Sequence, residues 1–157
     1  MAAVSTGWFE RGLSAGKQGQ DAEAHRCFNK AAELAPELKL KPQLHANIGR
    51  SLNSLQRWEE AIPHFETALR LDSSFTYALL HMGEAFNRLG YFLESIRCLE
   101  RVQSLEPAVK GLDSVLKHLR NCQSQLELGT PTAPAQGLSS VEMGVARSAA
   151  ASGLPGQ

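Results

Sequence analysis

The residues of this chain best suited to chemistry are five histidines (His25, His45, His64, His81, His118) and three cysteines (Cys27, Cys98, Cys122). A structural metal site takes such ligands from close pairs, a few residues apart. No two cysteines stand at that spacing, and the histidines form no recognisable ligand set with them. No metal and no other cofactor is expected. Cysteines that are widely spaced and odd in number read as buried thiols of a reducing compartment. Gly12-Leu-Ser-Ala-Gly16-Lys17 superficially resembles a loop that cradles phosphate with backbone amides, but no strand precedes it. Serines and acids are present, yet nothing in the sequence sets a nucleophile beside a base. The chain is not expected to be an enzyme.

Composition excludes further classes. At 157 residues the chain holds one ordinary domain and some excess. Lysine plus arginine equals aspartate plus glutamate, 16 of each, so no basic field invites nucleic acid. The stretch Met-Ala-Ala-Val-Ser-Thr-Gly has neither the charged region nor the apolar core of a secretory signal. No run approaches the ~18 consecutive apolar residues of a membrane span. A cytoplasmic or nuclear protein with no nucleic-acid or membrane partner is expected.

The glycines of the loop-like stretch belong to another pattern. Gly12, Ala24, Phe28, Ala31 and Pro36 are separated by 12, 4, 3 and 5 residues. Gly49, Ala61, Phe65, Ala68 and Ser73 repeat those separations, and so do Gly83, Ser95, Leu99, Val102 and Pro107. Glycine at one register and alanine or serine on a partner helix let two backbones approach closely, while Phe28, Phe65 and Leu99 fill the space between layers. Pro36 and Pro107 cannot continue a helix interior, so each marks its end. The pattern predicts helix pairs over 6–18 and 21–35, 43–55 and 58–71, and 76–89 and 92–105. Pro63 falls inside one of them and should bend it slightly. A seventh helix over 109–127 carries Leu112, Val115, Leu116, Leu119, Cys122 and Leu126 on one stripe, with Lys110, Asp113, Lys117, Arg120 and Gln123 opposite. Such a helix caps an exposed apolar layer. From Gly129 the chain is rich in Gly, Ala, Ser and Pro, too poor in large apolar residues to offset its ordering entropy, so 129–157 is expected to be disordered.

The landmarks resemble the tetratricopeptide repeat, a 34-residue unit with the pattern W-x2-L-G-x2-Y, then A-x3-F, A and P. The first unit shows Trp8, Gly12, Gly19, Ala24, Phe28, Ala31 and Pro36; the second Ile48, Gly49, Trp58, Ala61, Phe65 and Ala68; the third Met82, Gly83, Phe86, Gly90, Phe92, Ser95 and Pro107. The tryptophan slot passes from Trp8 to His45 and Leu79, and Arg11 and Ala15 replace the leucine and tyrosine of the first unit. Gly12 and Gly49 lie 37 residues apart but Gly49 and Gly83 lie 34 apart, and the extra residues fall in Glu37–Pro42. The resemblance implies an all-α, right-handed superhelical α-solenoid over 5–128. It comprises three tetratricopeptide-like helix pairs (about 5–38, 42–75 and 76–109) and a C-terminal capping helix. It also implies a non-catalytic adaptor or scaffold that binds a partner protein or peptide.

In such a stack the first helix of each pair lines the concave face. The inward stripes would be Thr6, Phe9, Leu13 and Lys17; then Gln43, Asn47, Arg50 and Asn53; then Tyr77, His81, Glu84, Asn87 and Arg88. Asparagine can bond a peptide backbone as donor and acceptor, and arginine can fork a carboxylate. Family members that clamp the acidic C-terminus of cytosolic heat-shock chaperones use lysine and asparagine on the first helix, asparagine on the third, and lysine and arginine on the fifth. The matching positions here are Phe9, Leu13, Asn47, Tyr77 and His81. Only Asn47 fits, so clamp-type chaperone binding is not expected. Two other roles stay open. One is a docking or regulatory segment of a larger enzyme assembly, or a shortened form of a multidomain protein. The other is self-assembly through Trp8 and Phe9. A monomer or weak homo-oligomer is expected.

Overall fold

The computed structural model describes residues 2–128, and among them every regular element is helical. The chain forms α1 (Ala2–Lys17), α2 (Asp21–Leu34), a short 3-10 helix (Pro36–Leu40), α3 (Pro42–Ser54), α4 (Trp58–Leu71), α5 (Thr76–Arg88), α6 (Phe92–Leu105) and α7 (Leu112–Glu127). The expectation of disorder over 129–157 lies outside the described residues.

Each turn within a pair closes in the same way. The amides of Gln20, Arg57 and Tyr91 donate to the carbonyls of Ala15, Leu52 and Phe86 at 2.8–2.9 Å. The residue before each donor is left-handed: Gly19 (φ 72°), Gln56 (φ 60°) and Gly90 (φ 80°). With the companion bonds from Gly19 to Gly16, Gln56 to Asn53 and Gly90 to Asn87, each closing bond satisfies the last helical carbonyls and turns the chain back on itself. Glycine adopts the left-handed conformation freely, whereas the Cβ of Gln56 crowds the carbonyl that follows.

Three boundaries differ from the expected ones. α1 starts at Ala2, four residues early. The long loop Glu37–Pro42 is largely the 3-10 helix, which brings Leu38 against the core while Pro42 opens α3 at its first turn. α7 starts at Leu112, because Gly111 before it sits at φ 81°.

α1 packs on α2, α3 on α4 and α5 on α6, and the pairs join through α2–α3, α4–α5 and α6–α7. The first helices also touch along the stack, α1 with α3 and α3 with α5, so their side is the inner one. One apolar cluster runs from Phe28 through Leu44, Ile48, Leu52 and Phe65 to Ala78, and a second joins Leu79, Ile96, Leu99 and Val102 to α7. α7 buries only Leu112, Leu116 and Leu119. Val115 and Leu126, expected on the same buried stripe, remain 45% exposed, since α6 is the helix that α7 packs against and covers one flank of it.

The repeated registers meet as pairs. A Cβ on Gly12 would stand 2.6 Å from the Phe28 ring, and one on Gly49 would stand 2.7 Å from the Phe65 ring. Both rings are wholly buried, as are Ala24, Ala31, Ala61 and Ala68. At Gly83 the nearest atom is Leu99 Cδ2, at 3.2 Å. Ser95 stands where the other units have alanine, and its buried hydroxyl donates to the Gly83 carbonyl across the pair at 2.7 Å.

The first joint also collects three histidines. His45 of α3 donates through Nε2 to the Lys39 carbonyl at 3.0 Å and stacks on His64 of α4, with centroids 6.0 Å apart. His25 of α2 lies 3.3 Å from the Ser51 hydroxyl, which itself donates to the Ile48 carbonyl, and Asn29 Nδ2 lies 3.1 Å from His25 Nε2. That chain of donors suits a neutral His25. Burial, assisted by the charge of Arg57 and opposed by Glu60, holds His25 below the ordinary histidine range. Burial, assisted by His45 and His25 and opposed by Glu60, does the same to His64.

In urea unfolding, Gly49→Ala should destabilise the chain by about 1–3 kcal/mol, because overpacking against a buried ring outweighs the gain in helix propensity. Gly83→Ala should be near neutral, since the Leu99 side chain can move. Gln56→Gly should stabilise by about 0.5–1 kcal/mol by relieving the left-handed residue. Finally, a histidine with a depressed folded-state pKa takes its proton first in the unfolded chain. Stability should therefore hold above pH ~6.5 and fall as pH drops through that value toward 5. Glu23, Glu60 and Glu84 are all shifted below their ordinary 4.5, so their contributions are lost only in stronger acid. The melting temperature should fall between pH 7 and 5, and His64→Gln should flatten that fall.

Candidate groove on the inner face

The inner face is built by α1, α3 and α5, and the side chains of the three expected stripes take different places on it. Phe9 and Leu13 are half-buried and pack on the core, with the Phe9 ring 5.5 Å from that of Phe28. Lys17 and Gln43 are exposed. The side chain of Thr6 is not among those described.

Arg50 occupies the middle. A Cβ on Gly16 would collide with its Nη2, so its guanidinium crosses from α3 to α1 over a position left bare by glycine. Its charge also reaches Tyr77 of α5: burial raises the Tyr77 phenol above its ordinary value and Arg50 opposes that rise. Arg50 therefore bridges α3 and α1, and its charge is felt at Tyr77 of α5. Asn47, one turn before it, donates to the Gln43 carbonyl at 2.8 Å, which leaves its amide oxygen as the acceptor. Among the described residues no carboxylate is paired with Lys17, Arg50 or Lys41.

Asn53 is placed differently from the other stripe residues. It is 8% exposed, and its amide donates to the His81 carbonyl at 2.8 Å, tying α3 to α5. Its buried Oδ1 has no hydrogen-bond partner in the described structure. Asn53 is thus a cross-repeat strut, buried where the helical period predicts an accessible side chain.

Tyr77, His81 and Glu84 form one patch on α5. The Tyr77 and His81 rings meet edge to face with centroids 4.5 Å apart, His81 stacks on Phe65, and His81 Nδ1 lies 3.3 Å from Glu84 Oε2. The hydrogen bond from His81 lowers the Glu84 pKa, with help from the charges of His81 and Arg88 and against burial. Asn87 is half-buried and Arg88 exposed.

Two apolar cavities flank this polar middle. One, of about 480 Å³, is lined by Phe9, Leu38, Lys41, Gln43 and Leu44. The other, of about 400 Å³, lies between α5 and α7, with Leu80, Val109 and Val115 in its walls and Glu84 and Asn87 on its rim. The sequence pointed to Phe9, Gln43, Glu84 and Asn87 but not to Gly16, Leu38, Lys41, Leu80 or Val115. The wider glycine spacing was the available signal for Leu38 and Lys41, since inserted residues must pack somewhere. Gly16 carried no such signal, because its partner is 34 residues away.

Comparison with known proteins agrees with this architecture. The family description "Tetratricopeptide repeat" matches residues 5–38 and 46–105. The chain is 30% identical over 125 residues to a TPR repeat-containing thioredoxin, TTL4, of Arabidopsis thaliana, covering 72% of this chain and 16% of that one. It is 28% identical over 120 residues to DnaJ homolog subfamily C member 7 of Mus musculus, covering 76% of this chain and 23% of that one. The chain thus spans less than a quarter of either curated relative. Among solved structures, the first TPR domain of human RPAP3 superposes with a TM-score of 0.71 at 26% identity, covering 79% of this chain and 95% of that one. The first TPR of Spaghetti (RPAP3), bound to the HSP90 peptide SRMEEVD, superposes at 0.70 and 26% identity, covering 76% and 93%. Repeated registers, paired helices, sequence match and superposition converge, and the chain belongs to the tetratricopeptide repeat family.

Proposed function

We propose that this chain is a non-catalytic adaptor that holds a segment of a partner protein in the groove of α1, α3 and α5. The observation that carries the reading is Arg50. It sits on α3 with its guanidinium over α1, no carboxylate is paired with it among the described residues, and Asn47 lies one turn before it with its amide oxygen as an acceptor. A cation so placed is suited to a carboxylate, and asparagine to a peptide amide. A similar repeat domain holds a peptide of HSP90, which supports peptide binding as the mode of use. The clamp seen in chaperone-binding members is a different matter. Phe9, Leu13, Tyr77 and His81 stand at four of its five positions, and only Asn47 suits it.

A second reading has its own support. The chain spans a small share of each relative, as a docking segment of a larger protein or assembly would. No helix among the described residues is long and apolar enough to cross a membrane, and a cytoplasmic or nuclear site of action fits this reading.

The test is capture from lysate by the full chain and by Arg50→Ala, quantified by mass spectrometry. Loss of a charge-assisted hydrogen bond should reduce capture of at least one partner by about tenfold or more while helicity is unchanged. Equal capture by both would move binding to another face. The HSP90 peptide SRMEEVD should bind no tighter than millimolar; micromolar binding abolished by Asn47→Ala would restore a clamp.

A further inference from the structure

At the first two joints the inner helices touch, α1 with α3 and α3 with α5. The last joint is built differently. α7 packs on α6, and between α7 and α5 lies the cavity of about 400 Å³. Its walls include Leu80, Val109 and Val115, and Leu99, Leu112 and Leu119 of the second apolar cluster line it more deeply. Val115 stays 45% exposed there, and Leu126, three turns farther along the same flank of α7, is equally exposed. A cavity of this size holds more than one apolar side chain, and no described residue fills it.

Two charged residues stand at its edge. Glu84, on the α5 side, is engaged by His81 Nδ1 at 3.3 Å. Lys110, in the turn before α7, is exposed and is paired with no carboxylate among the described residues.

A matching sequence follows α7 in the same chain. Five large apolar residues occur in 129–157, and four of them (Leu138, Val141, Met143 and Val145) fall in the eight residues 138–145. The one acid of 129–157, Glu142, lies among them. So short a run cannot build a core of its own, but a preformed apolar surface lets it leave water. The connection is long enough. Val115 and Glu127 are about 18 Å apart along the helix, and the nine residues 129–137 reach up to about 30 Å when extended. A tether of that length holds the run near the cavity at about millimolar effective concentration, so a modest affinity suffices.

We propose that residues 138–145 of this chain double back along α7 and occupy the cavity between α5 and α7. Their apolar side chains, Met143 among them, lie against Leu80, Val109 and Val115, and Glu142 pairs with Lys110. The stack thereby carries its own cover for the apolar surface that α7 leaves open. Because Glu84 and Asn87 border the same cavity, the cover also closes that end of the groove, and a partner segment reaches it only by displacing residues 138–145.

The test is methyl NMR of the full chain, labelled at methionine, leucine and valine methyls. The chain has three methionines, Met1, Met82 and Met143, so the Met143 signal can be assigned by substitution. Its methyl should show cross-peaks to those of Leu80, Val109 or Val115, unchanged on dilution. Val141→Asp should abolish them and move the Met143 signal to its free-chain position. Lys110→Glu, an exposed replacement, should weaken them, and Lys110→Glu combined with Glu142→Lys should restore them. A Met143 methyl without cross-peaks to these residues, or a charge exchange that fails to restore them, would overturn the proposal. Cross-peaks found only between differently labelled molecules in a mixture would also overturn it and make the occupant a second copy.

Discussion

Gly12 against the Phe28 ring and Gly49 against the Phe65 ring are the contacts on which the rest of the molecule rests. Each ring is fully buried and lies closer to the facing helix than any Cβ could tolerate. With the ring fixed between two helices, their separation is fixed, and small residues at Ala24, Ala31, Ala61 and Ala68 complete the seam. The third pair achieves the same approach more loosely, with Leu99 for phenylalanine and a Ser95–Gly83 hydrogen bond across the seam. Identical pairs can then stack only by burying the apolar flank of each against the next, which brings the first helices of successive pairs into contact. The groove follows from that stacking: its floor is core, and its polar residues are those that the core did not use.

Much of this could be read from spacing, because the same physical demand recurs in each unit. The glycine, alanine and phenylalanine registers announce the pairs, and the amphipathic period finds α7. Readings that depended on a single residue's neighbours fared differently. The start of α7 is not legible in the sequence, because a left-handed glycine looks there like any other glycine. The 3-10 helix is indistinguishable from a loop in the sequence, since five residues carry too little periodicity to show. Asn53 was read as a groove residue because period gives direction and not depth, and depth is set by how closely α5 approaches α3. The bare surface of Gly16 under Arg50 depends on the superposition of two repeats, which no local pattern encodes.

The places where this chain departs from its repeat are also the places where its own character enters. His45 replaces an aromatic slot residue and completes a joint of three histidines in which burial favours the neutral rings of His25 and His64. The inserted residues after Pro36 turn a connection into the wall of a cavity. Phe9, Leu13, Tyr77 and His81 place apolar and aromatic groups where a chaperone-binding clamp has charged and amide ones.

A double-mutant cycle between Gly49→Ala and Phe65→Leu, followed by urea unfolding, addresses the governing contact directly. If the ring is what forbids a side chain at Gly49, shortening it should remove most of the cost of the alanine, with a coupling of about 1–2 kcal/mol. Strictly additive effects would mean that helix separation is set elsewhere, and the account of the stack and its groove would fail.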